Sequence, residues 1–421
     1  MTDYQTRTAH VLARIEELAA ISEDDTGATV TRTFGTPAFV RGRDLVQRWF
    51  EAAGLETRLD GIGNLRGRWA SRRPGAQTFV LASHIDTVVN AGKYDGPLGV
   101  LMALNLVENI IQQQVDLPFN LELMAFSDEE GVRFHTTYLG SKVVTGAFDP
   151  ALLARTDAQG ITLAQAIAAM GGDAAQIPAG ALPAAEWLGY FELHIEQGPV
   201  LWESGVPVAL VTALAGQQRV ELAWQGMAGH AGTVPMARRQ DALAAAAEFV
   251  LAAEAFALAH GRGLVATVGQ LRIAHSASNV IPGHVVHSLD LRSPNAGELA
   301  AAYGALHAQA AAIADQRGLA LDWQLVQATA PVACDAGLNE LLAQAIAASG
   351  YPVVRLVSGA GHDAGPASAV APATMLFIRC YKGISHNPLE NVEAADVAAA
   401  LEVAERFIFE LKIKNEELKM V

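Results

Sequence analysis

The stretch SHIDTVVNAGKYDG, residues 83–96, sets His84, Asp86 and Asp95 directly behind the apolar run FVLAS. Strand ends that open into loops are where α/β proteins gather their chemistry. Three further segments have the same character: FSDEEG carries Glu129 and Glu130, FELHIEQG carries His194, and GISHNP carries His386. Together they form an imidazole and carboxylate set without a thiolate, which suits Zn²⁺ or Mn²⁺. A candidate set larger than four implies two divalent ions sharing a carboxylate, and Asp95, on its short loop, is the natural bridge. Asp86 lies two residues past His84 and would face the same way on a continuing strand. There it can accept the second ring N–H of His84 and fix its tautomer. Glu129 and Glu130 are adjacent and so diverge. One can ligate while the other serves as general base on an activated water, and the residues alone leave open which does which. Each signal has a bland reading, a hydrogen-bonded strand-end histidine or a solvated pair of glutamates. Their joint occurrence is what favours a metal site.

Rival motifs are missing. The chain has no G-x-S-x-G elbow and no G-x-x-x-x-G-K-[ST] loop. GIGNLRG (61–67) and SGAGHDAG (358–365) lack dinucleotide spacing, and the latter reads as a tight backbone loop lining a pocket.

The elements that must position these residues follow from periodicity. A helix over Arg7–Ala20 and another over 36–54 precede short strands around Glu56–Asp60 and Gly63–Trp69. Strand 78–83, helix 97–113 and strand 120–127 then alternate, implying a largely parallel sheet covered on both faces. From about Val211 the texture changes to strand 219–226, helix 236–260, strand 264–274, strand 284–293, helix 296–316 and strand 319–328. This β-α-β-β-α-β order is a ferredoxin-like unit of inserted-domain size. The first texture returns with helix 336–349, strands 352–358 and 374–380, and helix 393–412. The expected organisation is a discontinuous catalytic domain, 1–212 with 329–421, interrupted by an inserted domain, 213–328. The insert has its own polar cluster in Arg219, His230, Asn279 and Arg292. Arg292 ends a strand and can clamp a carboxylate through two N–H bonds. His230, between glycines, can polarise a carbonyl.

Composition narrows the partners. The 421 residues carry a formal charge of −15, which argues against nucleic acid or an anionic membrane surface but not against a small anion in a locally basic pocket. Only Cys334 and Cys380 are present, outside any paired motif, which fits a reducing compartment. The first residues, MTDYQTRTAHVLARIEEL, contain no apolar signal segment. The apolar stretch 241–260 carries Glu248 and Glu254 and reads as a packed helix rather than a membrane span. A cytoplasmic protein is the expectation.

HIDTVVNAGKYDG, FSDEEGVRF, ELHIEQGPVL, GHAGTVPM, SNVIPG, SGAGHDA and CYKGISHNP occur in this order between about residues 36 and 412. Taken together they resemble the hydantoinase/carbamoylase amidohydrolases of the M20 metallopeptidase clan. The resemblance implies a zinc-exopeptidase-like catalytic domain with a mixed central sheet, and a βαββαβ lid and dimerisation domain. It implies a pair of divalent ions held by His84, Asp95, Glu130, His194 and His386, with Asp95 bridging. It makes Glu129 the general acid/base and Asp86 a supporting residue. It gives Gln197, Arg219, His230, Asn279, Arg292 and the Gly361 backbone to the substrate, with His230 and Asn279 reaching the site in the same subunit or across a homodimer. Within the family, HIDTVVNAGKYDGPLG, FSDEEGVRFHTTYLGS and ALAGQQRVEL look most like allantoate amidohydrolases of purine catabolism. N-carbamoyl-L-amino-acid hydrolases and β-ureidopropionases share the same site residues, and all three act on a small ureido carboxylate.

Overall fold

In a computed structural model, which describes residues 4–261 and 263–417, four neighbouring strands run parallel. They are Asn120–Phe126, Thr78–His84, Trp187–Ile195 and Ala373–Ile378, in that order across the sheet. Nearly every residue in them is buried, as expected where helices cover both faces of a parallel sheet and the strands read as continuous apolar runs. Antiparallel strands finish the edges. Leu65–Trp69 pairs with Asn120–Phe126 and is followed by Glu56–Leu59, while Val208–Leu214 pairs with Ala373–Ile378 on the other side. The sheet is therefore mixed.

Helices Tyr4–Ala19, Pro97–Gln112, Ala336–Ala348 and Ala394–Glu417 supply Val11, Leu98, Leu101, Leu342 and Phe407 to the core of this part. Helix Pro37–Ala52 starts where the sequence says it should. The Thr36 side chain accepts the Phe39 N–H, and Pro37 occupies the first helical position, where its missing donor costs nothing.

The chain separates into two compact units. The first runs to Thr212 and resumes over Cys334–Leu356 and from His362 onward; the second comprises Ala213–Ala333 and Val357–Gly361. The outer ends of the expected catalytic domain, residues 1–3 and 418–421, and residue 262 of the expected insert lie outside the described residues.

The second unit is built on three long antiparallel strands, His284–Ser293, Gly216–Gln225 and Ala320–Thr329. Alternate residues of His284–Ser293 are buried, the mark of a sheet with one face on a core. Helices Ala242–His260 and Ala296–Arg317 cover that face around Trp224, Phe249, Leu289 and Leu306. Two elements differ from the sequence reading. The helix expected from 236 begins only at Ala242, because the Asp241 carboxylate caps the N–H groups of Leu243 and Ala244 while Met236–Arg238 forms a separate 3₁₀ turn. The strand expected over 264–274 is broken into Val265–Thr267 and Leu271–Ile273. Thr267 lies opposite Asp290 and Leu271 opposite His287, so one extra residue bulges between them.

Among the described residues, Ala242–His260 is the one helix whose length and composition would suit a membrane crossing. Its Ala242, Ala245, Ala246, Phe249 and Ala253 face is packed against the sheet, and Leu251 and Leu258 are exposed.

Candidate metal centre

The four parallel strands bring their C-terminal ends together, and the candidate ligands sit there. His84 is the last residue of its strand, and His194 is the penultimate residue of Trp187–Ile195. Glu129 and Glu130 follow Asn120–Phe126 after a turn in which Asp128 takes a left-handed φ of 56°. His386 lies on the loop after Ala373–Ile378, also left-handed at φ 53°. Asp95 precedes helix Pro97–Gln112, and Gly96 between them explains how the loop comes so close. Gly96 has φ +82°, and a Cβ there would stand 2.4 Å from Cε1 of the His84 ring.

Asp95 is the centre of the cluster. Its Oδ1 lies 3.2 Å from Nε2 of His194 and 4.0 Å from Nε2 of His84, and its Oδ2 lies 3.0 Å from Nε2 of His386. Glu130 Oε1 is 3.5 Å from the same His386 nitrogen. Two triads therefore share Asp95. One is His84, Asp95 and His194; the other is Asp95, Glu130 and His386; within each, the donor atoms lie within 4.8 Å of one another.

Ring orientation supplies the test of whether a cation fits. Nδ1 of His84 lies 3.0 Å from the Asp86 carbonyl oxygen, and Nδ1 of His194 lies 3.0 Å from that of Ile195. A carbonyl only accepts, so both rings carry their proton on Nδ1. A neutral ring then turns a lone pair, not a proton, toward the Asp95 carboxylate. Lone pair against carboxylate is repulsive unless positive charge lies between them. The residue set and its geometry fit divalent cations.

Ionisation follows the same pattern. With no cation between them, the rings can face Asp95 favourably only as imidazolium. Burial alone would raise Asp95, yet hydrogen bonds from His194 and His386 and the charges of His194 and His84 then hold it well below the ordinary carboxylate range. Asp95 in turn lifts His386 to about 9 against the opposing effect of burial. Burial pushes Glu129 well above its usual range; His84 opposes this, and Glu130, Asp363 and Asp86 reinforce it. Burial and then Asp95 bring Glu130 to about 7.

Asp86 does something other than expected. The chain leaves the strand at His84, and it is the Asp86 main-chain oxygen that holds the His84 ring, with the carboxylate 3.6 Å from Nδ1. The carboxylate instead accepts the backbone N–H groups of Glu129 and Glu130, at 3.1 and 3.2 Å. It pins the turn that carries both glutamates.

Gln197, at φ 58°, directs Nε2 to Asp95 Oδ2 (3.0 Å) and Ser385 Oγ (3.2 Å). The remaining candidate substrate residues, Arg219, His230, Asn279, Arg292 and Gly361, belong to the second unit. There Arg292 donates from Nε and Nη2 to the two Asp290 oxygens, both at 3.1 Å, and from Nη1 to the Gly359 carbonyl at 2.7 Å. Of its five donors, one N–H on each Nη remains. Arg219 Nε also donates to Asp290, at 3.3 Å. His230 pairs with Val280 in a short ladder, and the Asn279 carbonyl accepts the Ala231 N–H, so His230 and Asn279 sit on adjoining segments.

The sequence reading missed several buried polar groups in the first unit. His362 packs edge-on to His194, with ring centroids 4.5 Å apart, and burial drives its pKa well below the ordinary imidazole value. Asp363, raised to about 8 by burial and by Glu192, accepts the Ser141 hydroxyl. Glu192 accepts the Tyr190 hydroxyl and the Ala364 N–H. An acid inside the otherwise apolar strand FELHI was a visible signal; the HD pair within SGAGHDAG was taken for backbone alone.

Known proteins resemble this chain over most of its length. The sequence profile of peptidase family M20/M25/M40 matches residues 80–410. The chain is 37% identical over 398 residues to an N-carbamoyl-L-amino acid amidohydrolase of Geobacillus stearothermophilus, covering 94% of this chain and 97% of the relative. It is 37% identical over 423 residues to allantoate deiminase 1 of Glycine max, covering 92% and 86%. Among solved structures, an amidase of the hydantoinase/carbamoylase family from Burkholderia multivorans superposes with a TM-score of 0.89 at 33% identity, covering 95% and 97%.

Proposed function

Because the chain belongs to peptidase family M20/M25/M40, we propose that it hydrolyses the ureido C–N bond of allantoate, giving ureidoglycine, ammonia and CO₂. The coarser statement stands by itself: it is an amidohydrolase, acting on ureido or amide C–N bonds. The observation that carries the reading is the pair of triads sharing Asp95 with Glu129 beside them. We assign two divalent ions, Mn²⁺ or Zn²⁺, to His84, Asp95, Glu130, His194 and His386. Bound there, such ions would supply a polarised carbonyl and a water whose pKa falls from ~15.7 to roughly 7.

The chain's own groups do the rest. Glu129 is the group to take a proton from the attacking water and return it to the leaving nitrogen, a transfer suited to a carboxyl group that burial holds well above the ordinary carboxylate range. Asp86 keeps Glu129 in place through its backbone N–H. Arg292 takes the substrate carboxylate with its two remaining N–H groups. His230 donates to the oxygen on which charge develops, an effect worth about 3 kcal/mol for a well-placed donor. Gln197, Arg219, Asn279 and the Gly361 backbone orient the rest of the substrate.

The second unit also suits pairing with another copy of the chain. Leu251 and Leu258 on helix Ala242–His260, and Leu325 and Val326 on the edge strand Ala320–Thr329, are apolar and exposed. They support a homodimer formed through this unit.

A second reading, an N-carbamoyl-L-amino-acid amidohydrolase, is favoured by the equal 37% identity to such an enzyme. A β-ureidopropionase would use the same groups. An aminopeptidase or N-acyl-amino-acid deacylase of the same clan is separated by its indifference to a ureido group. The deciding experiment is ammonia release by Mn²⁺-reconstituted protein with allantoate, N-carbamoyl-L-amino acids and N-carbamoyl-β-alanine side by side. The highest kcat/KM on allantoate is expected. A carbamoyl amino acid in first place would overturn the substrate and leave the site chemistry standing.

A further inference from the structure

Glu390 lies four residues beyond His386 and is only 3% exposed. Its Oε1 accepts the backbone N–H groups of Tyr94 and Asp95, at 2.7 and 3.1 Å, and its Oε2 accepts the Ser385 hydroxyl at 2.9 Å. One carboxylate thus ties the loop that carries Asp95 to the loop that carries His386. The fit is close: a Cβ on Gly92 would stand 2.3 Å from the Glu390 Cβ. Other side-chain links run beside this brace: the Ser385 hydroxyl also lies 3.0 Å from Asp95 Oδ2, and the Tyr94 hydroxyl reaches Asn391 Oδ1 at 3.1 Å. Glu390 is the group that also fixes the Tyr94 and Asp95 main chain. His386 needs such help. Its side chain is 49% exposed, its backbone is left-handed, and no strand or helix contains it.

We propose that Glu390 is a positioning residue that holds the Asp95 and His386 loops in register and so completes the half-site of Asp95, Glu130 and His386. This rests on the reading of two cations given above. The half-site of His84 and His194 shares Asp95 but has both histidines at strand ends, so it depends on the brace through one residue rather than two. Its rings are held by the main-chain oxygens of Asp86 and Ile195. Removing Glu390 therefore affects the two half-sites unequally, through geometry rather than through loss of a ligand.

The test is a Mn²⁺ titration by equilibrium dialysis, with electron paramagnetic resonance to distinguish a coupled ion pair from an isolated ion. Wild-type protein should take two equivalents and show coupling. E390A should keep the first equivalent, bind the second about 10–100-fold more weakly, and show isolated-ion spectra where the wild type shows coupling. G92A, which displaces Glu390 without touching any ligand, should behave the same way. E390Q should bind both ions nearly as the wild type does, because its Oε1 still accepts both backbone N–H groups and its Nε2 can donate to Ser385 Oγ. Should E390A not fold, E390D carries the same expectation, since its carboxylate is one methylene too short to span both loops.

Wild-type affinity for the second ion in E390A would overturn the proposal. So would E390Q as weak as E390A, which would make charge rather than bracing the cause. A wild-type protein holding one ion would refute the two-cation reading instead. Glu390 would then stand or fall on whether E390A weakens that single ion, which Asp95 also serves.

Discussion

Asp86→Asn alters no volume and tests the turn that carries Glu129 and Glu130. In the wild type, each oxygen of the Asp86 carboxylate accepts one backbone N–H, at 3.1 Å from Glu129 and 3.2 Å from Glu130, and the residue is buried. An amide in the same place offers one oxygen and one NH₂. Whichever way it turns, one backbone N–H faces another donor. A hydrogen bond to a buried charge contributes about 1.5–3 kcal/mol, and an orphaned buried donor costs about 1–3 kcal/mol. Taken together, a loss of about 3 kcal/mol is expected. At about 2 °C per kcal/mol for a large domain, the Tm of the first unit should drop by about 6 °C. The turn would also shift Glu129, and a displacement of about 1 Å at a reacting group can cost about 100-fold in rate. Calorimetry and ammonia release at saturating Mn²⁺ measure both. An unchanged Tm with kcat within a few-fold of wild type would refute the pinning role. Weakened metal binding with normal kcat at saturation would show instead that Asp86 works through His84, whose Nδ1 is 3.6 Å from the carboxylate.

Three more outcomes are expected. Glu129→Gln should lower kcat by about 10²–10⁴ or more with Mn²⁺ content intact by elemental analysis; full turnover would remove Glu129 from the mechanism. Gly96→Ala should lose bound metal and lower Tm, because the new Cβ meets the His84 ring at 2.4 Å and φ is +82°; unaltered metal content would show that the loop can yield. The second unit should lose stability on acidification through His287. This ring accepts the Trp224 Nε1–H at 2.9 Å on Nε2 and directs Nδ1 to the Ser288 carbonyl, so it is neutral and fully paired, and burial lowers its pKa from 6.5. Protonation is therefore easier in the unfolded chain. The folded state is favoured above pH 6.5 and loses stability as pH falls from there toward the folded-state pKa. Urea midpoints across that window, with His287→Gln for comparison, measure the effect; a midpoint with no His287-dependent slope would contradict it.

The parts of the site that were legible in the sequence are those tied to strand ends. A buried parallel strand announces itself as an apolar run, so FVLAS, LELMAF and FELHI marked His84, the DEE turn and His194 as strand-end residues. His386 and Asp95 were legible for a weaker reason, a metal-type side chain inside a glycine-rich loop. What periodicity cannot convey is which partner a polar group chooses once the loops close. Asp86 was expected to hold the His84 ring with its carboxylate, but the strand ends at His84 and the main-chain oxygen reaches the ring first. Freed of that task, the carboxylate serves two N–H groups 43 and 44 positions away. Glu390 is an extreme case. Nothing local in SHNPLEN marks it, because its partners Tyr94 and Asp95 lie almost 300 residues earlier and offer only main-chain donors, which every residue type except proline possesses. Ligands carry their chemistry in their own side chains and can be read directly; a brace is defined by the loops it joins, and those appear only when the chain has folded.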